Sequence, residues 1–199
     1  MKALYNTYKN NISNSLITKK IIFVSQQNGL SEDIQYVLVK LFDYMQTKKL
    51  CGACHALSAV LYVALCELGE KPDLYIGECY NPNVPPFDHS WVVLNNKIID
   101  IAIYFPLFEI VNSISGVIVM DIDVVSQEKT KTIYGYKTKA GLGSEATHIL
   151  SVPFVTYMDN FPFEDGGLWS VVKKILPQSF KSDNDAIKNK YTNVSRIVV

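Results

Sequence analysis

Residues 54–104 read CHALSAVLYVALCELGEKPDLYIGECYNPNVPPFDHSWVVLNNKIIDIAIY. The opening part, 54–68, is apolar nearly all round, the pattern of a helix that lies inside a domain rather than on its surface. Gly69 stands where a helix C-terminus takes its left-handed residue. DLYIGECY (73–80) is β-rich and follows as a strand. NPNVPPFD (81–88) carries three prolines, which do not fit a central strand, and is expected to be a loop. HSWVVLNNKIIDIAIY (89–104) predicts a hairpin, because two β-rich runs flank Asn95-Asn96 and Asn tolerates the positive φ of such turns.

Upstream, residues 31–49 predict a surface helix. Ser31 is placed to cap it, Glu32 and Asp33 suit the positive end of its dipole, and Ile34, Val37, Leu38, Leu41, Phe42 and Met45 form one apolar stripe. Downstream, 114–125 reads as a strand with Asp121 and Asp123 facing outward. The Lys- and Gly-rich stretch 129–143 reads as a loop or loose hairpin, and 168–176 as a short helix stopped by Pro177. The tail from Ser182 is polar until its last four residues. Helices first and hairpin-connected strands after them favour an α+β fold, with a central buried helix packed on an antiparallel β-sheet.

A chain of 199 residues with 48% hydrophobic residues can bury a sizeable core and is expected to form one domain, 1–199. Nineteen basic residues balance nineteen acidic ones, which argues against a nucleic-acid partner. The N-terminal 23 residues lack a continuous apolar core and a small-residue cleavage site. The longest apolar stretch, Ala56 to Cys66, is too short to span a bilayer, and the run from Ile98 to Val111 is broken by Asp100, Pro106 and Glu109. These features predict no membrane association and a cytoplasmic location, with Cys51, Cys54, Cys66 and Cys79 mostly reduced.

Three residues carry chemistry. Cys54 begins the buried helix, where unpaired N–H groups and the helix dipole favour a thiolate. With a two-residue turn at Asn95-Asn96, Trp91 falls opposite Asp100 and His89 opposite Ala102. His89 and Asp100 then share a face as diagonal neighbours, roughly 7–8 Å apart along the backbone, within reach of two side chains. An aspartate there can fix the imidazole tautomer and stabilise its charged form. A helix packed on that face would bring Cys54 to the other ring nitrogen, giving nucleophile, base and orienter.

The string GACHALSAVLYVALCELGEKPDLYIGE (52–78), then DHSWVVL (88–94), then IID (98–100), resembles the core of the transglutaminase-like cysteine enzymes of the papain-like superfamily. Counterparts of that pattern are Cys54, Gly69, Gly77, His89-Ser90-Trp91-Val92 and Asp100. The intervals, 35 residues from Cys54 to His89 and 11 from His89 to Asp100, resemble the small bacterial members, including lasso-peptide leader peptidases. The likeness spans about 50–104, and 105–199 is expected to complete the sheet or wall the cleft.

The resemblance implies Cys54 as nucleophile, His89 as general base and acid, and Asp100 as orienting carboxylate. The implied reaction is attack on an amide or ester carbonyl through a thioester, as a cysteine peptidase, amidase or acyl transferase. The partner would be a peptide, protein or small amide, with no cofactor and no metal. The alternative is a catalytically inactive binding module of the same fold. The backbone N–H of Cys54 is one candidate oxyanion donor, and Gln26 and Gln27 are weaker side-chain candidates.

Other strings read more simply. Cys51-Gly52-Ala53-Cys54-His55 matches the c-type haem attachment pattern and contains a C-x-x-C pair, but it runs straight into a helix needed for the core. His55 is expected to turn away from the active face. Cys51, Cys54, Cys79 and His89 are zinc-type ligands without a second C-x-x-C. Gly141-x-Gly143-x-x-Ala146 lacks a preceding strand. Lys129, Lys131, Lys137 and Lys139 read as a solvated face.

Overall fold

Helix α3 (Cys54–Glu67) sits at the centre of the protein. The structure is a computed structural model, and it describes residues 16–106, 114–162, 164–180 and 184–199. Most of the stretch searched for a secretion signal (1–15) and the end of the Ile98–Val111 run lie outside the described residues. Every α3 residue from Cys54 to Leu65 except Tyr62 is buried, as its all-round apolar pattern requires. Burying each Val or Leu contributes ~1.5–3 kcal/mol, so the helix is anchored on all sides. Gly69, at φ 88°, closes it, with its N–H on Cys66 O and that of Glu70 on Leu65 O.

Helix α1 (Leu16–Gln27) precedes α2 (Glu32–Lys48), whose cap is the one expected: Ser31 accepts the Ile34 N–H at 3.3 Å. The sheet begins with β1 (Asp73–Asn81), β2 (Val84–Leu94) and β3 (Lys97–Asp100). It continues with β4 (Ile118–Val119), β5 (Ile122–Asp123), β6 (Ile133–Tyr134) and β7 (Ile197–Val198). The strand order is β5-β4-β3-β2-β1-β6, antiparallel throughout, with β7 added parallel to β1. Helices α4 (Ser144–Ser151), α5 (Phe154–Asp159), α6 (Gly167–Ile175) and α7 (Asn184–Lys190) come from the C-terminal half. Helix α3 packs on β1 and β2, and also against α2 and α6. The protein is thus a mixed α+β structure with a largely antiparallel sheet and a buried helix upon it. Among the described residues, no helix is long and apolar enough to cross a membrane.

Several expectations are corrected. The segment 81–88 is mostly strand: β1 runs to Asn81, β2 starts at Val84, and the turn shrinks to Pro82-Asn83. Pro85 and Pro86 are tolerated because the register shifts there. The ladder partners are Val84 and Phe87, so neither proline has to donate an N–H. The Asn95-Asn96 hairpin has its expected register, with φ 53° and 60° at the turn and Val92 opposite Ile99. Its second strand, however, stops at Asp100. The chain then winds into a 3₁₀ turn, Ala102–Tyr104, whose Ile103 N–H is held by Asp100 Oδ1 at 3.2 Å. Ala102 therefore does not face His89 across a ladder.

The segment 114–125 is two short strands, β4 and β5, folded at Met120-Asp121 (φ 54° and 69°). Asp121 and Asp123 do not simply face outward. Asp121 accepts the Ile98 N–H, and Asp123 holds Ser115, Gly116, Val125 and Ser126. The polar tail contains α7 and β7. The C-terminal half therefore both extends the sheet and supplies helices around α3.

Candidate active site

The first turn of α3 presents Cys54 beneath the sheet. Its N-cap is Ala53, whose side chain offers no acceptor to the first-turn N–H groups. The positive end of the helix is left to stabilise an anion. Strand β2 contributes His89, paired with Gly77 on β1. Gly77 has a packing reason to be glycine: a Cβ there would lie 2.8 Å from Val199 and 3.2 Å from the Trp91 ring. Strand β3 ends on Asp100.

The structure brings Cys54, His89 and Asp100 together. His89 Nε2 lies 2.7 Å from Asp100 Oδ2, and the two residues are only 5% and 1% exposed. With Nε2 committed to the carboxylate, Nδ1 is the ring nitrogen left for the thiol, and the charges of Cys54 and His89 act on each other. Burial alone would push the Cys54 thiol up. The charge of His89 and hydrogen bonds from His55 and His89, with the charge of His55, outweigh it and bring the thiol down to about 5. Burial also disfavours charge on His89. The Asp100 carboxylate and the Cys54 thiolate overcome this and raise it to about 10. Both shifts favour the thiolate and imidazolium forms of the pair.

The other thiols differ. Burial and the nearby charges of Asp100 and Cys54 push Cys79 far up, burial raises Cys66, and Cys51 is exposed. Of the C-x-x-C-H string, Cys54 and His55 are thus buried while Cys51 faces solvent. Among the described residues, no three His, Cys, Asp or Glu side chains group as a metal site.

A cleft of about 230 Å³ opens onto Cys54 and His89. Phe87, Ile103, Phe105 and Ile114 give it apolar walls, while Asp88, Glu145 and Ala146 form part of its lining. Gly143 donates its N–H to Asp88 Oδ2 at 2.7 Å, so the glycine string at 141–146 ties α4 to this cleft. Gln26 and Gln27 are exposed at the end of α1 and do not line the cleft, so neither is positioned as an oxyanion donor.

Two residues at the site escaped the sequence reading. His55 does not turn away. It is buried, lines the cleft, and sits with Nδ1 2.7 Å from Ser90 Oγ. Because α3 is buried all round, a first-turn side chain has no solvent to turn to, and Ser90 of β2 supplies its partner. Tyr134 of β6 donates its hydroxyl to Asp100 Oδ2 at 2.8 Å. Its only sequence signal was a β-rich Ile-Tyr pair inside a Lys- and Gly-rich stretch. Comparison with protein-family models, with curated proteins and with solved structures found no match.

The two shifted groups make a pH prediction. A thiol lowered from 9.0 to about 5 contributes stability that is present above 9 and lost as pH falls towards 5. An imidazole raised from 6.5 to about 10 contributes stability that is present below 6.5 and lost as pH rises through 10. Together they give a rise between about pH 5 and 6.5, a level stretch to about 9, and a fall towards 10. The first edge amounts to about 2 kcal/mol, one proton over that interval. Urea midpoints across this range in wild type, less those of a Cys54→Ala/His89→Asn double variant, should show both edges. A flat difference profile would mean that the pair binds its protons in the folded protein as it does in the unfolded one.

Proposed function

We propose that this chain is a thiol enzyme of papain-like, transglutaminase-like architecture that acts on an amide or ester carbonyl. The observation that carries this reading is the buried His89–Asp100 pair, 2.7 Å apart, set against a cysteine at a helix N-terminus with no side-chain cap. Cys54 Sγ attacks the carbonyl carbon, and the imidazolium of His89 protonates the departing amine as the C–N bond breaks. This leaves a thioester and a neutral imidazole. His89 then takes a proton from water or from an acceptor amine, which attacks the thioester; the C–S bond breaks and the thiolate–imidazolium pair returns. We assign the oxyanion to the backbone N–H of Cys54, at the helix N-terminus that no side chain caps. The apolar cleft walls fit a peptide or small amide with an apolar group beside the reacting carbonyl.

The test is covalent. After incubation with p-nitrophenyl acetate at pH 6, intact-mass and peptide-mapping spectra are expected to show one acetyl group, on Cys54. Hydroxylamine should remove it, as expected for a thioester. An adduct confined to Cys51, Cys66 or Cys79, or none at all together with p-nitrophenolate release no faster than in Cys54→Ala, would leave a binding module that keeps the site without turnover.

A further inference from the structure

We infer that Tyr134 is a positioning residue of this site, which fixes the Asp100 carboxylate and tempers its pull on His89. The inference rests on the reading of Cys54 and His89 as a working pair. Tyr134 lies outside the 50–104 segment on which the resemblance stands, and enters through β6, paired to β1 at Cys79. Its hydroxyl donates to Oδ2 of Asp100 at 2.8 Å, the same oxygen that receives His89 Nε2 at 2.7 Å. The other carboxylate oxygen takes the Ile103 N–H. Asp100 is thus held by three donors from three segments, and two of them compete for one oxygen.

The ring of Tyr134 is fixed in turn. It meets Trp91 edge-on at 5.0 Å between centroids and lies 6.3 Å from the His89 ring. Trp91 itself stacks on Tyr75 at 5.7 Å. Burial and the adjacent Asp100 push the phenol well above its ordinary range, so it remains a donor wherever the pair is ionised. A donor on the shared oxygen withdraws part of the charge that the carboxylate would otherwise place on the imidazolium. His89 must give up a proton during acylation and regain it afterwards, so a carboxylate that grips too hard slows the first step.

The experiment is the pH profile of Cys54 alkylation by iodoacetamide, mapped by peptide, in wild type and Tyr134→Phe. Wild type should show two steps, near 5 as the thiolate forms and near 10 as His89 deprotonates. Tyr134→Phe keeps the ring and removes the competing donor. The upper step should move up by roughly one pH unit, with a smaller downward move of the lower step. A purely structural tyrosine would change the melting temperature and leave both steps in place. Two superimposable profiles would overturn the Tyr134 assignment alone. A single ordinary thiol titration in wild type would overturn both this inference and the thiol-enzyme reading. Should Tyr134→Phe fail to melt cooperatively, 3-fluorotyrosine incorporated at position 134 tests the same point. It keeps ring and hydroxyl but is a stronger donor, so the upper step must move down; a step that stays put would refute the assignment.

Discussion

Replacing His89 with alanine is expected to move the thiolate titration of Cys54 from about 5 into the ordinary thiol range of about 8.5 or above. The opposing influences set the direction. Burial raises the thiol, and the charge of His89 is the first of the effects that lower it; without it, burial dominates. At pH 6 the thiolate fraction falls from about nine-tenths to a few thousandths. The rate falls less, because a thiolate of higher pKa is the stronger nucleophile (Brønsted slope ~0.4–0.5). Reaction with a pyridyl disulfide at pH 6 should therefore slow on the order of tenfold, and above pH 9 the variant should react faster than wild type. Crossing profiles are the signature. Unchanged midpoints would mean that the helix terminus and His55 alone hold the thiolate, and that His89 is not its partner. His89→Asn, which can still donate to Asp100 but carries no charge, should behave alike and guards against a folding defect.

What could be read from sequence divides by the range of the physics involved. The all-round apolar pattern of 54–68, the Ser31 cap and the Asn95-Asn96 turn are local signals, and the structure carries all three as read. The misreadings came where a tertiary partner decides. Two adjacent prolines argue against a strand only if their N–H groups are needed, and the register shift in β1–β2 removes that need. Strands β4, β5, β6 and β7 are two residues each. No alternation develops over so short a length, so their existence depends on the neighbouring strand rather than on their own residues.

The site divides the same way. The proximity of His89 and Asp100 followed from hairpin register, because a two-residue turn fixes which side chains share a face. The position of Tyr134 depends on β6 meeting β1 some fifty residues apart in sequence, and nothing local encodes it. The case of His55 is subtler. The apolar pattern that placed α3 in the interior already implied that its second residue could not reach solvent, but only the presence of Ser90 opposite shows how its ring is accommodated.

Asp100 separates the chemistry of the site from its stability. Asp100→Ala removes the acceptor of His89, Tyr134 and the Ile103 N–H at once. Breaking a buried ion pair in this way costs about 3–5 kcal/mol, a large share of the ~5–15 kcal/mol that holds an ordinary domain together. A melting temperature lower by about 10 °C is expected. Asp100→Asn preserves shape and one acceptor, so its stability loss should stay near 1–3 kcal/mol. Its chemical effect is distinct. An amide N–H facing Nε2 forces that nitrogen to accept and moves the single ring proton to Nδ1, so the ring rests neutral and the thiolate loses its imidazolium partner. The same carboxylate-to-amide change in the serine-protease triad lowers turnover ~10⁴-fold. Here acylation of Cys54 by p-nitrophenyl acetate, whose phenolate leaves without a proton, is expected to fall on the order of tenfold at pH 6 through the lost thiolate. The loss should shrink at alkaline pH, where the thiolate forms without help. If Asp100→Asn melted normally and acylated at the wild-type rate, the carboxylate would be a structural anchor for the 3₁₀ turn at 102–104, and the charge on His89 would have to be sustained by Cys54 alone.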